Sequence, residues 1–248
     1  MLVFIIPLKN SKTSKSWDLT CKLFERCIKS VCNQTSANFR VVVVCSEIPQ
    51  IEFHHPSINY VEVDFPLPTS EYKSKELDKG KRLLTGLAYA ERFAPSHIMI
   101  VDADDCVSSH LAEFVSQNQH CNGWFVNKGY VYRKNSQLIY FRAKAFSQLC
   151  GSGVIVKYDH KFDYLFKNAI YDHKVKCLKD GSLLEPLPFI GGIYIIGNGE
   201  NIYLNLDKVK FLKETLKQKG LLFYLRDFLQ YRWLTKSIRN NFGLYKMN

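Results

Sequence analysis

Over the first hundred residues, short runs of β-favouring apolar residues alternate with stretches of helical periodicity, and this alternation constrains the fold more than any other feature. Residues 2–6 are apolar at every position, as in a strand covered on both faces. Leu19, Leu23, Cys27 and Val31 then recur at helical spacing, which predicts an amphipathic helix capped by Asp18. Residues 40–45 and 59–63 read as a second and a third strand, the latter closed by a proline-broken loop at 64–68. Leu83, Leu84, Leu87 and Ala88 mark a second helix face, and residues 97–101 a fourth strand. This order predicts an α/β, Rossmann-like domain with a mostly parallel central sheet covered on both faces. Ligands of such sheets sit at the carboxyl ends of the strands.

Composition excludes several other classes. The chain has 248 residues, 46% hydrophobic and 23% charged, which is ordinary for a globular protein and unlike a disordered or fibrous one. Its longest apolar runs, at 2–6, 41–45 and 221–225, fall far short of the about 18 residues that span a bilayer. Pro7 and Lys9 interrupt the N-terminal apolar run and no small-residue cleavage site follows, so a cytoplasmic location is expected. The eight cysteines show no CxxC or zinc-type spacing and are expected to be reduced and mostly buried. The formal net charge is +11, and the excess is concentrated in residues 205–248. That distribution points to an anionic neighbour, such as a membrane surface, a polyanionic substrate or nucleic acid.

The fourth strand runs straight into Asp102-Ala103-Asp104-Asp105. In an extended chain Asp102 and Asp104 share a face while Ala103 points back into the fold, so two carboxylates can meet one ion. Hard oxygen donors in small number suit Mg²⁺ or Mn²⁺, with positions left open for phosphate oxygens. The bland alternative is a turn that caps the next helix at Ser108 and Ser109.

With these residues in view, the chain resembles GT-A fold, family 2-like nucleotide-sugar glycosyltransferases, whose D-x-D motif is matched by Asp102-Ala103-Asp104. The strand leading into Ile6-Pro7-Leu8-Lys9, the helix through Cys27 and Cys32, and the strand ending in Cys45-Ser46-Glu47 resemble that family's nucleotide-binding half. The resemblance implies residues 1–204 as the transferase domain, with 1–115 holding the nucleotide sugar and 116–204 the acceptor. It implies a nucleoside diphosphate sugar, a UDP-sugar by the family's habit, as co-substrate, with Pro7, Ser46 and Glu47 beside the nucleotide. Among Asp78, Lys79, Lys81 and Arg82, read as opening a helix, Lys81 is the expected diphosphate contact, against a solvated first turn. The resemblance further implies a carboxylate base, Asp172 or Asp163, and His173 as a metal ligand beside Asp102 and Asp104, in a hexosyl transfer that inverts the anomeric centre. No Glu-Asp pair of the family's usual kind occurs among Asp159, His160, Asp163, Asp172 and His173.

The second half reads as a hairpin-rich acceptor layer, with strands at 123–126, 129–132 and 138–141. Trp124, Tyr130 and Tyr132 are candidate sugar platforms or core residues. Gly151 and Ser152, in the tight turn 149–153, are candidate substrate contacts. Glycines 191, 192, 197 and 199 around a strand at 193–196 suggest a lid. Residues 205–248 are expected as a basic helical appendage, with Leu222, Leu225, Leu229 and Trp233 forming a stripe for packing or for contact with the inner membrane face. The acceptor is a glycan or a lipid-linked chain in this reading. Two other functions stay open: phosphoryl transfer on the aspartate cluster, disfavoured because such enzymes expect it on the first strand, and a non-catalytic membrane- or nucleic-acid-binding module. No phosphate-loop, helix-turn-helix, RRM or zinc-finger signature occurs.

Overall fold

The structure, a computed structural model, describes residues 1–159, 162–198 and 228–245. Its strands are β1 (Leu2–Pro7), β2 (Phe39–Cys45), β3 (Ile58–Glu62), β4 (His97–Ile100), β5 (Cys106–Val107), β6 (Gly123–Phe125) and β7 (Lys128–Arg133). They continue with β8 (Leu138–Arg142), β9 (Val154–Lys157), β10 (Phe166–Lys167), β11 (Ile170–Tyr171), β12 (Glu185–Pro186), β13 (Ile190–Ile196) and β14 (Tyr231–Trp233). The described helices are α1 (Trp17–Val31), α2 (Tyr72–Ala90), α3 (Leu111–Gln117) and α4 (Lys236–Asn241).

The central sheet has the order β12-β6-β9-β4-β1-β2-β3. The pairs β4–β1, β1–β2, β2–β3 and β12–β6 are parallel, whereas β9 runs antiparallel to both β4 and β6. The α/β architecture with a mostly parallel central sheet is therefore what these residues form. Strand alternation divides the apolar runs between two cores. Phe4, Ile6, Val41 and Val43 join Phe24 and Ile28 of α1, and Val3, Ile5, Val42 and Val44 join Leu83 and Leu87 of α2. Because β2 and β3 lie on one side of β1 and β4 on the other, the chain changes direction between β1 and β4, and it is at the carboxyl ends of such a strand pair that sheets of this kind leave a crevice for ligands.

Local chemistry corrects several expectations. The cap of α1 is Ser16, whose side chain accepts from the Leu19 N–H at 3.2 Å; Asp18 sits inside the first turn, where it complements the helix dipole. Helix α2 begins at Tyr72, so residues 78–82 lie in its interior and do not open it. Its buried stripe runs through Arg82, Leu83, Gly86, Leu87 and Ala90, while Leu84 and Ala88 face solvent. Gly86 lets the helix rest on β1, since a Cβ there would come within 2.6 Å of Ile5 Cγ2.

Of the hairpins expected in the second half, β7–β8 forms, but β6 does not pair with β7: it joins β9 in the central sheet while β7 joins β13 in the other, and a further hairpin, β10–β11, lies where none was expected. A five-stranded sheet, β14-β8-β7-β13-β5, packs beside the central one. Gly191 and Gly192 are inside β13, so no glycine loop precedes residues 193–196; Gly197 follows in the left-handed region, and Gly199 lies outside the described residues. In the expected C-terminal helix, Leu222 and Leu225 lie outside the described residues; Leu229 is in a turn, and Trp233 is in strand β14 paired with Leu138. Beyond it Phe242 and Leu244 are buried among Tyr130, Tyr132 and Ile139. No described helix is long and apolar enough to cross a membrane.

Candidate functional site

The last β4-type hydrogen bond, from the Val101 N–H to the Ile5 carbonyl at 2.9 Å, brings the chain to the crevice between β1 and β4. There it turns. The Asp105 N–H donates to the Asp102 carbonyl at 3.0 Å, so Asp102 and Asp104 do not project in parallel from an extended strand. Asp102 faces α2, where Lys79 Nζ lies 2.5 Å from its Oδ1. Asp104 instead accepts from Asn198 Nδ2 at 2.7 Å, and its backbone carbonyl accepts from Arg26 Nη2 at 3.2 Å. Ala103 packs on the core, as its place between the two requires.

Asp105 is fully buried and acts as the anchor of this turn. It accepts from Ser152 Oγ at 2.7 Å, from Cys150 Sγ at 3.0 Å and from the Ile195 N–H at 3.4 Å. Burial, and then the charges of Asp104 and Asp102, push its carboxyl well above the usual range. Ser152 also accepts from the Asp102 N–H at 2.9 Å and is 1% exposed, so it holds the aspartate turn and offers no open hydroxyl to a substrate. Gly151 forms the wall behind Asp102: a Cβ there would lie 2.3 Å from Asp102 Oδ2.

Across the crevice, α2 presents Lys79 and Arg82, three residues apart and so on one face. Arg82 is 1% exposed; its Nε donates to Asp78 Oδ2 at 2.8 Å and its Nη2 to Ser46 Oγ at 2.9 Å, at the carboxyl end of β2. Among the described residues, Arg82 Nη1 and His173 Nε2 are buried nitrogens without a hydrogen-bond partner. Lys81, the expected contact, points to solvent on the opposite face of the helix, and Glu47 is exposed as well. Pro7 ends β1 in the buried register opposite Val44. Burial draws the Lys79 ammonium down, but Asp102 outweighs it and holds the group up at about 12.

Strand β11 adds Tyr171, which donates to the Gly151 carbonyl at 3.3 Å and lies with its ring centroid 5.9 Å from Lys79 Nζ. Two residues on, His173 is lowered by burial while Asp102 pulls it back up, which places the imidazole within electrostatic reach of that carboxylate. Asp172, between them, turns away to Lys167 Nζ at 2.9 Å and to the Lys174 N–H at 3.0 Å. Burial raises its carboxyl, but those two partners together outweigh it and leave Asp172 below the usual range. The Asp163 side chain and the whole of His160 lie outside the described residues. Trp124 is 1% exposed, wedged against Phe114 and His97, and has no face open to a sugar ring; Tyr130 and Tyr132 are buried too.

The donors fit a divalent ion in kind but are not gathered for one. Asp102, Asp104 and an imidazole with an orphaned Nε2 are suitable ligands. Burial and then Asp102 push Asp104 up, a sign that the carboxylates crowd one another. Yet Lys79 and Asn198 hold the two aspartates, and among the described residues no three acidic, histidine or cysteine side chains converge closely enough to hold a metal.

No family model matches the chain, and no curated protein matches its sequence. Solved structures do. The crystal structure of S. aureus TarS matches at 13% identity with a TM-score of 0.44, over 79% of this chain and 36% of that one. TarS 1-349 in complex with UDP-GlcNAc matches at 13% identity with a TM-score of 0.42, over 78% of this chain and 58% of that one. The 2-C-methyl-D-erythritol 4-phosphate cytidylyltransferase of Francisella tularensis matches at 10% identity with a TM-score of 0.45, over 86% of this chain and 98% of that one. The chain thus spans about a third of the longer TarS structure. Values this low leave the chemistry of the site to be argued from this chain's own residues.

Sequence reasoning passed over Lys79 and Arg82 in favour of Lys81. The signal was present: Leu83, Gly86 and Leu87 define the buried face of α2, and stepping back four residues from Leu83 and from Gly86 reaches 79 and 82, whereas 81 falls with the exposed 84 and 88. Asp105, Cys150 and Asn198 had no such signal, because their partners lie 45 to 94 positions away.

Proposed function

We propose that the chain is a glycosyltransferase that takes a hexosyl unit from a nucleoside diphosphate sugar, a UDP-sugar foremost, and passes it to a glycan or lipid-linked acceptor. One observation carries the reading: at the carboxyl ends of β1 and β4 an aspartate turn faces the part-exposed ammonium of Lys79, beside Ser46, which the buried Arg82 holds at the end of β2. A diphosphate flanked by a nucleoside has complementary chemistry. Its oxygens would take charge-assisted hydrogen bonds from Lys79, and Ser46, held in place by Arg82 Nη2 and itself part-exposed, suits the nucleoside end. Expulsion of the diphosphate places positive charge on the anomeric carbon and negative charge on the leaving group. In this reading the Lys79 cation of α2 stabilises that growing negative charge.

Asp102, Asp104 and His173 would hold a divalent ion only once Lys79 and Asn198 released the two aspartates, and the ion would then supply further charge neutralisation to the leaving group. Asp172 is assigned as the base on the acceptor side. Burial raises its carboxyl, but the ion pair with Lys167 lowers it and weakens it as a base, so the role requires Asp172 to leave that pair and turn to the acceptor hydroxyl. Attack from the side opposite the diphosphate inverts the anomeric centre. Contact with an anionic membrane at the cytoplasmic side, where lipid-linked acceptors are presented, is supported by the exposed Trp233 beside Arg232, Lys236 and Arg239.

Calorimetric titration with UDP, and hydrolysis of a panel of UDP-sugars with Mn²⁺ present or chelated, test the reading. UDP should bind, and Asp102→Asn should slow hydrolysis by about a hundredfold or more while the far-UV spectrum is unchanged. A protein that binds no nucleoside diphosphate under any of these conditions is not this enzyme.

A further inference from the structure

Strand β3 ends the central sheet, and among the described residues no strand pairs with its far side. The other ends of the two large sheets, β12, β5 and β14, are two or three residues long, whereas β3 has five. Its pairing with β2 fixes which backbone groups face outward. The Ser57 carbonyl accepts from the Val41 N–H and the Val63 N–H donates to the Cys45 carbonyl, both at 2.9 Å, so the odd-numbered residues from 57 to 63 point towards β2. Tyr60 and Glu62 therefore aim both N–H and C=O at the open edge. Ile58 aims its carbonyl there, while its N–H donates to the His55 carbonyl at 3.1 Å. Proteins block such edges with proline, lysine, an inward charge or a bulge. Residues 58–62 contain no proline or lysine, and their register with β2 is unbroken.

The side chains along this edge complement the same strand running the other way. A pocket of about 410 Å³, lined by Phe53, His54, His55, Pro56, Ile58 and Tyr60, flanks the amino end of β3, on the face where Ile58 and Tyr60 pack towards α1. His54 is exposed there, and His55, whose Nδ1 accepts from the Ser57 N–H at 3.2 Å, keeps Nε2 as a donor. Beyond the middle of the strand the chemistry is opposite: Glu62 and Asp64 are exposed carboxylates that, by alternation from Tyr60, lie on that same face. We propose that β3 pairs antiparallel with β3 of a second copy of this chain, about a two-fold axis at Tyr60. In that register the two Tyr60 residues exchange hydrogen bonds, and each Glu62 N–H donates to the Ile58 carbonyl of the other copy. Glu62 then stands opposite Ile58 and Asp64 opposite Pro56, which brings both carboxylates of one copy to the imidazoles at the pocket of the other. Parallel pairing in register would set Glu62 against Glu62 instead. The two central sheets become one, with the crevices of the two copies at its opposite ends. This surface lies outside the nucleotide-sugar reading and does not depend on it.

The test is sedimentation velocity on the full chain from about 1 to 100 µM, joined to amide hydrogen exchange read by nuclear magnetic resonance. The wild type should pass from monomer to dimer across that range. In the dimer the Tyr60 and Glu62 amides should gain about tenfold or more in protection, while those of Asn59 and Val61, which face β2, change little. Glu62→Pro removes one outward N–H and one carboxylate but spares the bonds to β2, so it should stay monomeric with an unaltered far-UV spectrum. His54→Glu changes an exposed side chain and should weaken the dimer about tenfold or more, because it sets like charges together across the axis; it decides the matter should the proline variant fail to fold. A wild type that is monomeric throughout overturns the inference and leaves this edge to a strand of another protein. A dimer that survives both substitutions, or one in which the Tyr60 amide exchanges as fast as in the monomer, overturns it too and puts the interface elsewhere.

Discussion

At the site, single atoms decide what a residue can do, and Gly151 is the clearest case. A methyl group there would sit 2.3 Å from Asp102 Oδ2 and 3.0 Å from its Cγ, so the carboxylate must swing out of the position that Lys79 and the turn define. Gly151→Ala is expected to weaken UDP binding about tenfold while shifting the thermal midpoint little, because the adjustment falls on a part-exposed side chain; calorimetry beside a melting curve checks both. His97 offers a test of a different kind. It is fully buried, its Nε2 lies 2.9 Å from the Cys121 carbonyl, and burial, with help from Lys157 and the N-terminal amine, lowers it to about 4. A histidine whose folded value lies below its unfolded one resists protonation in the native state. Its contribution is present in full above the unfolded value of about 6.5 and is lost as pH falls towards 4, by on the order of 3 kcal/mol. Urea denaturation from pH 7 to pH 4 should show the wild type losing more stability than His97→Gln; parallel losses would mean the imidazole is not held neutral. Of these residues, Asp102 and Asp104 could be read from the chain because they follow an apolar strand. Gly151 could be named but not understood, since its constraint comes from a carboxylate 49 positions earlier.

Among the elements, α2 decides the geometry of the site. Its glycines are contact surfaces: Gly86 meets β1, and Gly80 meets the turn between β10 and β11, where a Cβ would fall 1.9 Å from the Ala169 carbonyl oxygen. Gly80→Ala should gain about 1 kcal/mol in helix propensity and lose more by driving the hairpin away, for a net destabilisation of about 1–2 kcal/mol. Hydrogen exchange should show the hairpin amides losing protection first, and a stabilised variant would refute this account of the packing. The strands were legible: residues 2–6, 40–45, 59–63 and 97–101 each fall within a residue or two of the observed elements, because burial on both faces leaves a continuous apolar run. The stretch from 158 to 180 was not. It holds a short 3-10 turn and a hairpin whose corner, Asn168–Ala169, adopts positive φ at both residues. A turn of that kind usually advertises itself with glycine, and here none is present.

Across the whole molecule, two sheets share the aspartate turn. Asp105 ties it to Cys150 and Ser152 beside the central sheet and to the backbone of β13 in the other. The end of the chain closes the second sheet, with Asn241 accepting from Ser109 Oγ at 2.8 Å and Phe242 lying edge-on to Tyr130 at 5.9 Å. Phe242→Ala should therefore cost about 3–4 kcal/mol, as for a large buried ring, and not the few tenths expected of a detachable tail; a denaturant midpoint close to that of the wild type would show the tail to be dispensable. The order of strands and helices over the first hundred residues, the parallel sheet and the place of the aspartates directly after β4 were determined by the amino-acid sequence by itself, because burial imposes periodicities of two and of 3.6 residues on neighbouring positions. Only the tertiary structure decided that Lys79 and not Lys81 meets Asp102, that Arg82 reaches Ser46, and that Trp124 is core. Those contacts join residues 23 to 36 positions apart, or depend on which strand covers which ring, and no local periodicity records either.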